Sequence, residues 1–189
     1  IGIAMYPLDA TNPHTLVRNA DAAMARAREA GRDGYRFFTA GMNVQVLARL
    51  DLEMALRRAL DNREFVLHYQ PKVDTRTGRI CGVESLLRWQ RPGAGLVYPA
   101  EFVGVMEDSG MINRVGEWIF DEACRQMAEW KASGVGELRV AVNVSSRQFE
   151  GELEAVVRAA LERHGIDPRA LELELTETVL MENADRAVE

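Results

Sequence analysis

From Phe65 onward two hydrophobic periods take turns along the chain. The stretches 65–73, 80–89, 138–144 and 171–178 are short, apolar and bounded by turn residues, which predicts strands. Between them, 99–108, 112–132 and 153–164 repeat apolar residues at helical spacing. Gly110, Gly134 and Gly165 stand where those helices should stop. A turn around 74–78 separates the first two strands. The repeated strand–helix–strand order predicts an α/β fold with parallel strands.

The upstream part reads differently. Residues 1–6 predict a strand, and Pro7, Asp9, Asn12 and Pro13 a loop. A helix follows from Thr15, with Leu16, Val17, Ala20, Ala23, Met24 and Ala27 on one face and Gly31 at its end. Residues 35–38 close the unit as a strand. Such a unit is too small to bury a core and reads as the remnant of a larger domain. A second helical stretch, 41–61, carries Val46, Leu47, Leu50, Met54, Leu56 and Leu60, with Gly41 and Asn43 as a hinge before it. The expected division is 1–40, a linker or first helix at 41–62, and 63–189.

Strand parity locates the candidate chemistry. In the run from Leu171, the leucines occupy one face and Glu172, Glu174 and Thr176 the other. Asn143 shares a side with Ala141 and Ser145, opposite the valines. Glu84 and Arg88 share a face, as do His68 and Gln70. A parallel strand covered on both sides should be apolar throughout, and buried carboxylates need partners. In a barrel these groups would converge at the C-terminal ends of the strands. Oxygen ligands from Glu84, Asn143 and Glu174 would suit a hard divalent cation. Arg88 would suit a phosphate. Each residue also has a plainer reading: a salt-bridged glutamate, a capping asparagine, a surface arginine. A generic α/β enzyme fragment stays open, and His68 is expected to be a hydrogen-bonded structural histidine.

Composition narrows the classes. Net charge is −6, with 23 basic and 29 acidic residues, which does not suit a nucleic-acid coat; no DNA is expected as a partner. The three histidines are scattered and no zinc spacing occurs. Cys81 and Cys124 are expected to be buried free thiols in a reducing cytosol. No apolar run reaches the length of a membrane span. The Ile1-Gly2-Ile3-Ala4 start resembles no leader and is expected to lie inside a strand. Gly93-Ala94-Gly95 lacks phosphate-loop spacing and reads as a turn.

Five motifs in order carry a resemblance. They are Tyr69-Gln70-Pro71, Val83-Glu84-Ser85-Leu86-Leu87-Arg88-Trp89, Pro99-Ala100-Glu101-Phe102, Asn143-Val144-Ser145 and Glu174-Leu175-Thr176-Glu177. Their order resembles that of EAL domains over residues from about 43 to 189. The signature tripeptide here is Glu84-Ser85-Leu86, with serine for the usual alanine. Gly104 stands where the family commonly has proline. The resemblance implies a partial TIM-like (β/α)8 barrel that hydrolyses cyclic-di-GMP to linear pGpG with two Mg2+ or Mn2+ ions. It implies Glu84, Asn143 and Glu174 as metal ligands, Gln70 and Arg88 as substrate contacts, and Glu177 as support behind the ligands.

Residues 1–38 resemble the end of a GGDEF domain, on Ile1-Gly2-Ile3-Ala4, Tyr6-Pro7, Asn19-Ala20-Asp21-Ala22-Ala23-Met24 and Ala30-Gly31-Arg32. Arg28 stands where that family usually has a phosphate-contacting lysine, and Ala25 where it usually has tyrosine. About half of the EAL barrel is expected here. The paired aspartates, a lysine and a further glutamate of the family would lie beyond Glu189, and the segment alone is expected to be neither stable nor active. A cytoplasmic homodimer is expected. A degenerate EAL domain that binds cyclic-di-GMP without cleaving it is the alternative, and a purely structural role in dimerisation and signal relay the third.

Overall fold

The computed structural model describes residues 1–29, 31, 34–136, 138–149 and 152–175. The chain divides into two compact units, Ile1–Ala55 and Leu56–Glu189.

The first unit holds β1 (Gly2–Ile3), α1 (Pro13–Glu29), β2 (Arg36–Phe37) and most of α2 (Ala40–Asp61). β1 and β2 pair in parallel, Gly2 opposite Arg36 and Ile3 opposite Phe37. The strand expected over 1–6 is thus far shorter, because the chain leaves the sheet after Ile3. Ala22, Ala23 and Ala27 are buried, whereas Val17, expected on the same face, is 62% exposed. Buried Asn19 donates to the Asp9 carbonyl at 2.9 Å and accepts from Asn43 Nδ2 at 3.2 Å. Two of the apolar positions read in the second helix, Leu50 and Met54, are also exposed; Leu56 and Ala59 are buried.

The second unit is built on a sheet with order β3-β4-β6-β7. β3 is Phe65–Val73, β4 Ile80–Arg91, β5 Gly95–Val97, β6 Arg139–Val144 and β7 Leu171–Leu175. β4, β6 and β7 run parallel. β3 does not: it pairs antiparallel with β4, and β5 adds a short antiparallel pairing to the end of β4. The expectation of parallel strands fails at these two pairs because each connection is a tight turn, and only a long crossover returns a strand in parallel. The register of β3 and β4 shifts between Lys72 and Val73, so that Val73 faces Ile80 and Lys72 faces Gly82. Cys81 falls in that irregularity and is exposed, contrary to expectation, while Cys124 is buried. Burial pushes the Cys124 thiol up to about 11.

Helices cover one face of the sheet over β4 and β6, while Leu173 of β7 on that face is 43% exposed. α3 (Val103–Asp108) follows a 3-10 turn at Pro99–Glu101, which breaks the single helix expected there. α4 (Met111–Ala132) buries Met111, Ile112, Val115, Ile119, Phe120, Ala123, Cys124 and Met127, a repeat of three and four residues. It packs on α3, on α5 (Ser146–Phe149), on α6 (Leu153–His164) and on the backs of β3 and β6. α6 ends where predicted, at Gly165 with φ 64°, and Ile166 N returns to the Leu161 carbonyl at 3.0 Å. Phe65, Trp89, Phe102 and Trp118 form an aromatic cluster with ring centroids 5.9 to 6.3 Å apart. Among the described residues no helix is long and apolar enough to cross a membrane.

Candidate active site

Residues directly opposite in a ladder share a face, and so do residues two apart on one strand. Gln70 lies opposite Glu84, and Glu84 opposite Ala141. Ala141 is two residues from Asn143, which lies opposite Glu174. Gln70, Glu84, Asn143 and Glu174 therefore share one face, with Lys72, Arg88 and Glu172 on it by the same rule. The alternate residues, Val83, Ser85, Leu87, Trp89, Val140, Val142 and Val144, are buried on the other.

That polar face is concave. Lys72 on β3 contacts Glu174 on β7, with β4 and β6 between them. On a flat sheet the two backbones would stand roughly 14 Å apart with side chains perpendicular to it, and the pair would not meet. Twist and coiling of the sheet toward this face bring them together.

Asn143 Nδ2 donates to Glu84 Oε1 at 2.7 Å. Lys72 Nζ also lies 3.7 Å from Glu172 Oε2. The hydrogen bond to Glu174 raises the Lys72 ammonium above its ordinary range; desolvation opposes this, and the charges of Glu174, Glu172 and Glu84 add to it. Arg88 Nη1 donates to the Leu87 carbonyl at 2.8 Å, and its guanidinium lies 5.0 Å from the ring centre of Tyr98. His68 lies on this face but is exposed and makes no hydrogen bond among the described residues, so the structural role expected for it is not the one found. Glu177 lies outside the described residues, and Arg28 is exposed in the last turn of α1.

The segment after Asn143 is held from behind. The buried side chain of Gln148 accepts from Ser145 N at 3.1 Å. It lies so close to Gly116 of α4 that a methyl group there would overlap its amide. An apolar recess of about 450 Å³ reaches from Asn143 to the helix-covered side of the sheet, lined by Leu87, Val103, Ile119, Val142 and Val144, with Glu107 also in its wall. Burial raises the Glu107 carboxyl above its usual range. A larger groove of about 940 Å³ runs along α6 behind β7 and holds none of these polar groups.

Two carboxylates and an amide form an oxygen-only donor set, the kind that suits Mg2+ or Mn2+. Glu174 already receives a positive charge from Lys72. The residues thus fit a divalent cation chemically, with Glu84 and Asn143 in contact and Glu174 next to Asn143 in register. Among the described residues no three His, Cys, Asp or Glu side chains gather closely enough to hold an ion by themselves. Lys72 and Tyr98 beside the polar groups, and Gln148 behind them, did not emerge from the sequence.

The chain is similar to known proteins over all or most of its length. The chain is 47% identical over its whole length to a bifunctional diguanylate cyclase/cyclic di-GMP phosphodiesterase, MucR of Pseudomonas aeruginosa, of which it spans 28%. It is 38% identical over its whole length to the cyclic di-GMP phosphodiesterase PdeR of Escherichia coli, again spanning 28%. The chain thus covers little more than a quarter of either relative. Among solved structures, that of a MucR phosphodiesterase in complex with c-di-GMP superposes with a TM-score of 0.69 at 47% identity, over 71% of this chain and 55% of the other. The EAL domain family model matches residues 53–189, well over half of the sequence, and the chain belongs to the EAL domain family.

Proposed function

We propose that this chain is the first part of the phosphodiesterase domain of a GGDEF–EAL signalling protein that hydrolyses cyclic-di-GMP to linear pGpG with two Mg2+ or Mn2+ ions. The observation that carries the reading is the shared concave face of Glu84, Asn143 and Glu174, with Asn143 bonded to Glu84 at 2.7 Å. The relatives named as cyclic di-GMP phosphodiesterases support it. Residues 1–40 are read as the end of a GGDEF domain and 41–62 as linker; the whole protein acts as a cytoplasmic homodimer.

Glu84, Asn143 and Glu174 would hold the cations. Bound there, the ions supply charge neutralisation at the phosphodiester and lower the pKa of water. The remaining work belongs to the chain. Asn143 orients the Glu84 carboxylate through its amide. Gln70, level with Glu84, contacts the substrate. Arg88 offers a planar fork to a phosphate oxygen, and the Tyr98 ring limits the positions that fork can take. Glu177 is read as a residue that supports the ligands.

The test is turnover of cyclic-di-GMP to pGpG by the full-length protein, separated chromatographically with and without Mn2+. Glu84→Gln should lower Mn2+-dependent turnover by at least about a hundredfold. Wild-type turnover in that variant would remove Glu84 from the site. Tight binding without any cleavage by the wild-type protein would make it a receptor.

A further inference from the structure

The proposed mechanism has no use for Lys72, yet its ammonium sits on Oε1 of Glu174 and 3.7 Å from Glu172. The pair joins the two strands that flank the sheet, across the strands that carry Glu84 and Asn143. Such a reach is not the ordinary neighbour pairing of a ladder. Side chains of Lys72 and Glu174 are 35% and 38% exposed, so the pair adds little to the stability of the fold and can be exchanged at small cost. The Lys72 ammonium feels the carboxylates of Glu174, Glu172 and Glu84; Arg139 also pairs with Glu172 at 3.4 Å, which leaves Glu174 and Glu84 as the charges that a doubly charged ion would gain more from than one ammonium does. An ammonium and a divalent ion at the same carboxylate oxygen repel each other.

We infer that Lys72 is an internal competitor for the divalent cation: its ammonium and the ion are alternative partners of Glu174, so Lys72 sets the concentration at which the site fills. The inference rests on reading Glu174 as a metal ligand. When the ion binds, the ammonium is released from Glu174. Lys72 is therefore a positioning residue and not a ligand, and its charge, more than its length, matters.

The test is direct Mn2+ binding to the full-length protein, with free Mn2+ followed by electron paramagnetic resonance and the Glu84-dependent component isolated by subtracting Glu84→Gln. Lys72→Met should bind Mn2+ about tenfold more tightly than wild type. Lys72→Arg, which keeps the charge, should stay close to wild type. Unchanged or weaker binding by Lys72→Met overturns the competition and leaves the metal site standing. Mn2+ binding that Glu84→Gln does not alter overturns the site reading, and the inference with it. If Lys72→Met fails to fold, acylation of Lys72 in the wild-type protein decides, read by mass spectrometry. Mn2+ should speed modification of Lys72 severalfold, and an unchanged rate overturns the competition.

Discussion

The two faces of the β3-β4-β6-β7 sheet are made by the same strands and have little else in common. Toward α4 the residues of β4 and β6 are mostly apolar and covered, with Trp89 and Val140 fully buried and Val142 nearly so. On the concave side Gln70, Glu84, Arg88, Asn143 and Glu174 are half-buried or exposed, with Val66, Leu86 and Ala141 set among them. Because the two sets alternate, burial of one fixes the position of the other. A slip of one residue would turn every ligand candidate toward the helices. Stability resides on one face, therefore, and the site geometry is its by-product on the other.

That division can be broken experimentally. The largest effect is expected on the closed face. Trp89→Ala removes a fully buried member of the aromatic cluster and should cost about 3–5 kcal/mol, read from urea or thermal unfolding. Turnover should fall only as far as folded protein is lost. Glu84→Gln should instead leave unfolding within about 0.5 kcal/mol of wild type, since its surroundings are partly solvated; a large destabilisation would mean that the polar face also holds the fold together. A smaller effect is expected at Arg88. Arg88→Lys keeps the charge but loses the fork, and should raise KM roughly tenfold with unfolding unchanged. An unchanged KM would take Arg88 away from the substrate.

Much of this contrast was legible before any coordinates. Strand parity placed Glu84, Asn143 and Glu174 opposite the valines and leucines, because side-chain alternation is a local property of the backbone. Gly134 and Gly165 marked the ends of α4 and α6 for the same reason. Lys72 was not legible: in sequence it is one charge near the end of a strand, and its partner lies 102 residues away. Contacts across a curled sheet depend on curvature, which no local period encodes. The same holds for Cys81, whose exposure follows from a register shift, whereas the antiparallel pairing of β3 with β4 was within reach of the sequence, because the short turn at 74–78 leaves no room for a parallel crossover. Leu50 and Met54 show the converse, since helical spacing predicts a stripe but not whether anything covers it.

The least disruptive probe of the two environments is the thiol pair. Cys81 is exposed, whereas the buried Cys124 thiol is pushed up to about 11 and holds almost no thiolate near neutral pH. Alkylation at pH 8, mapped by peptide, should mark Cys81 in the native protein and Cys124 only after unfolding. Equal native rates would show that α4 does not seal the sheet.

Gly116 gives this division a seam. Its bare α-carbon is the seat on which Gln148 rests, and Gln148 in turn grips the backbone just past Asn143. The aim of an amide on the wet side is thus inherited from a helix on the dry side, like a dowel passed through a board. A methyl group added at that seat would push the dowel and swing Asn143 off Glu84. The proposed site could then be disturbed from the back of its sheet, with every polar group of the front still in the chain.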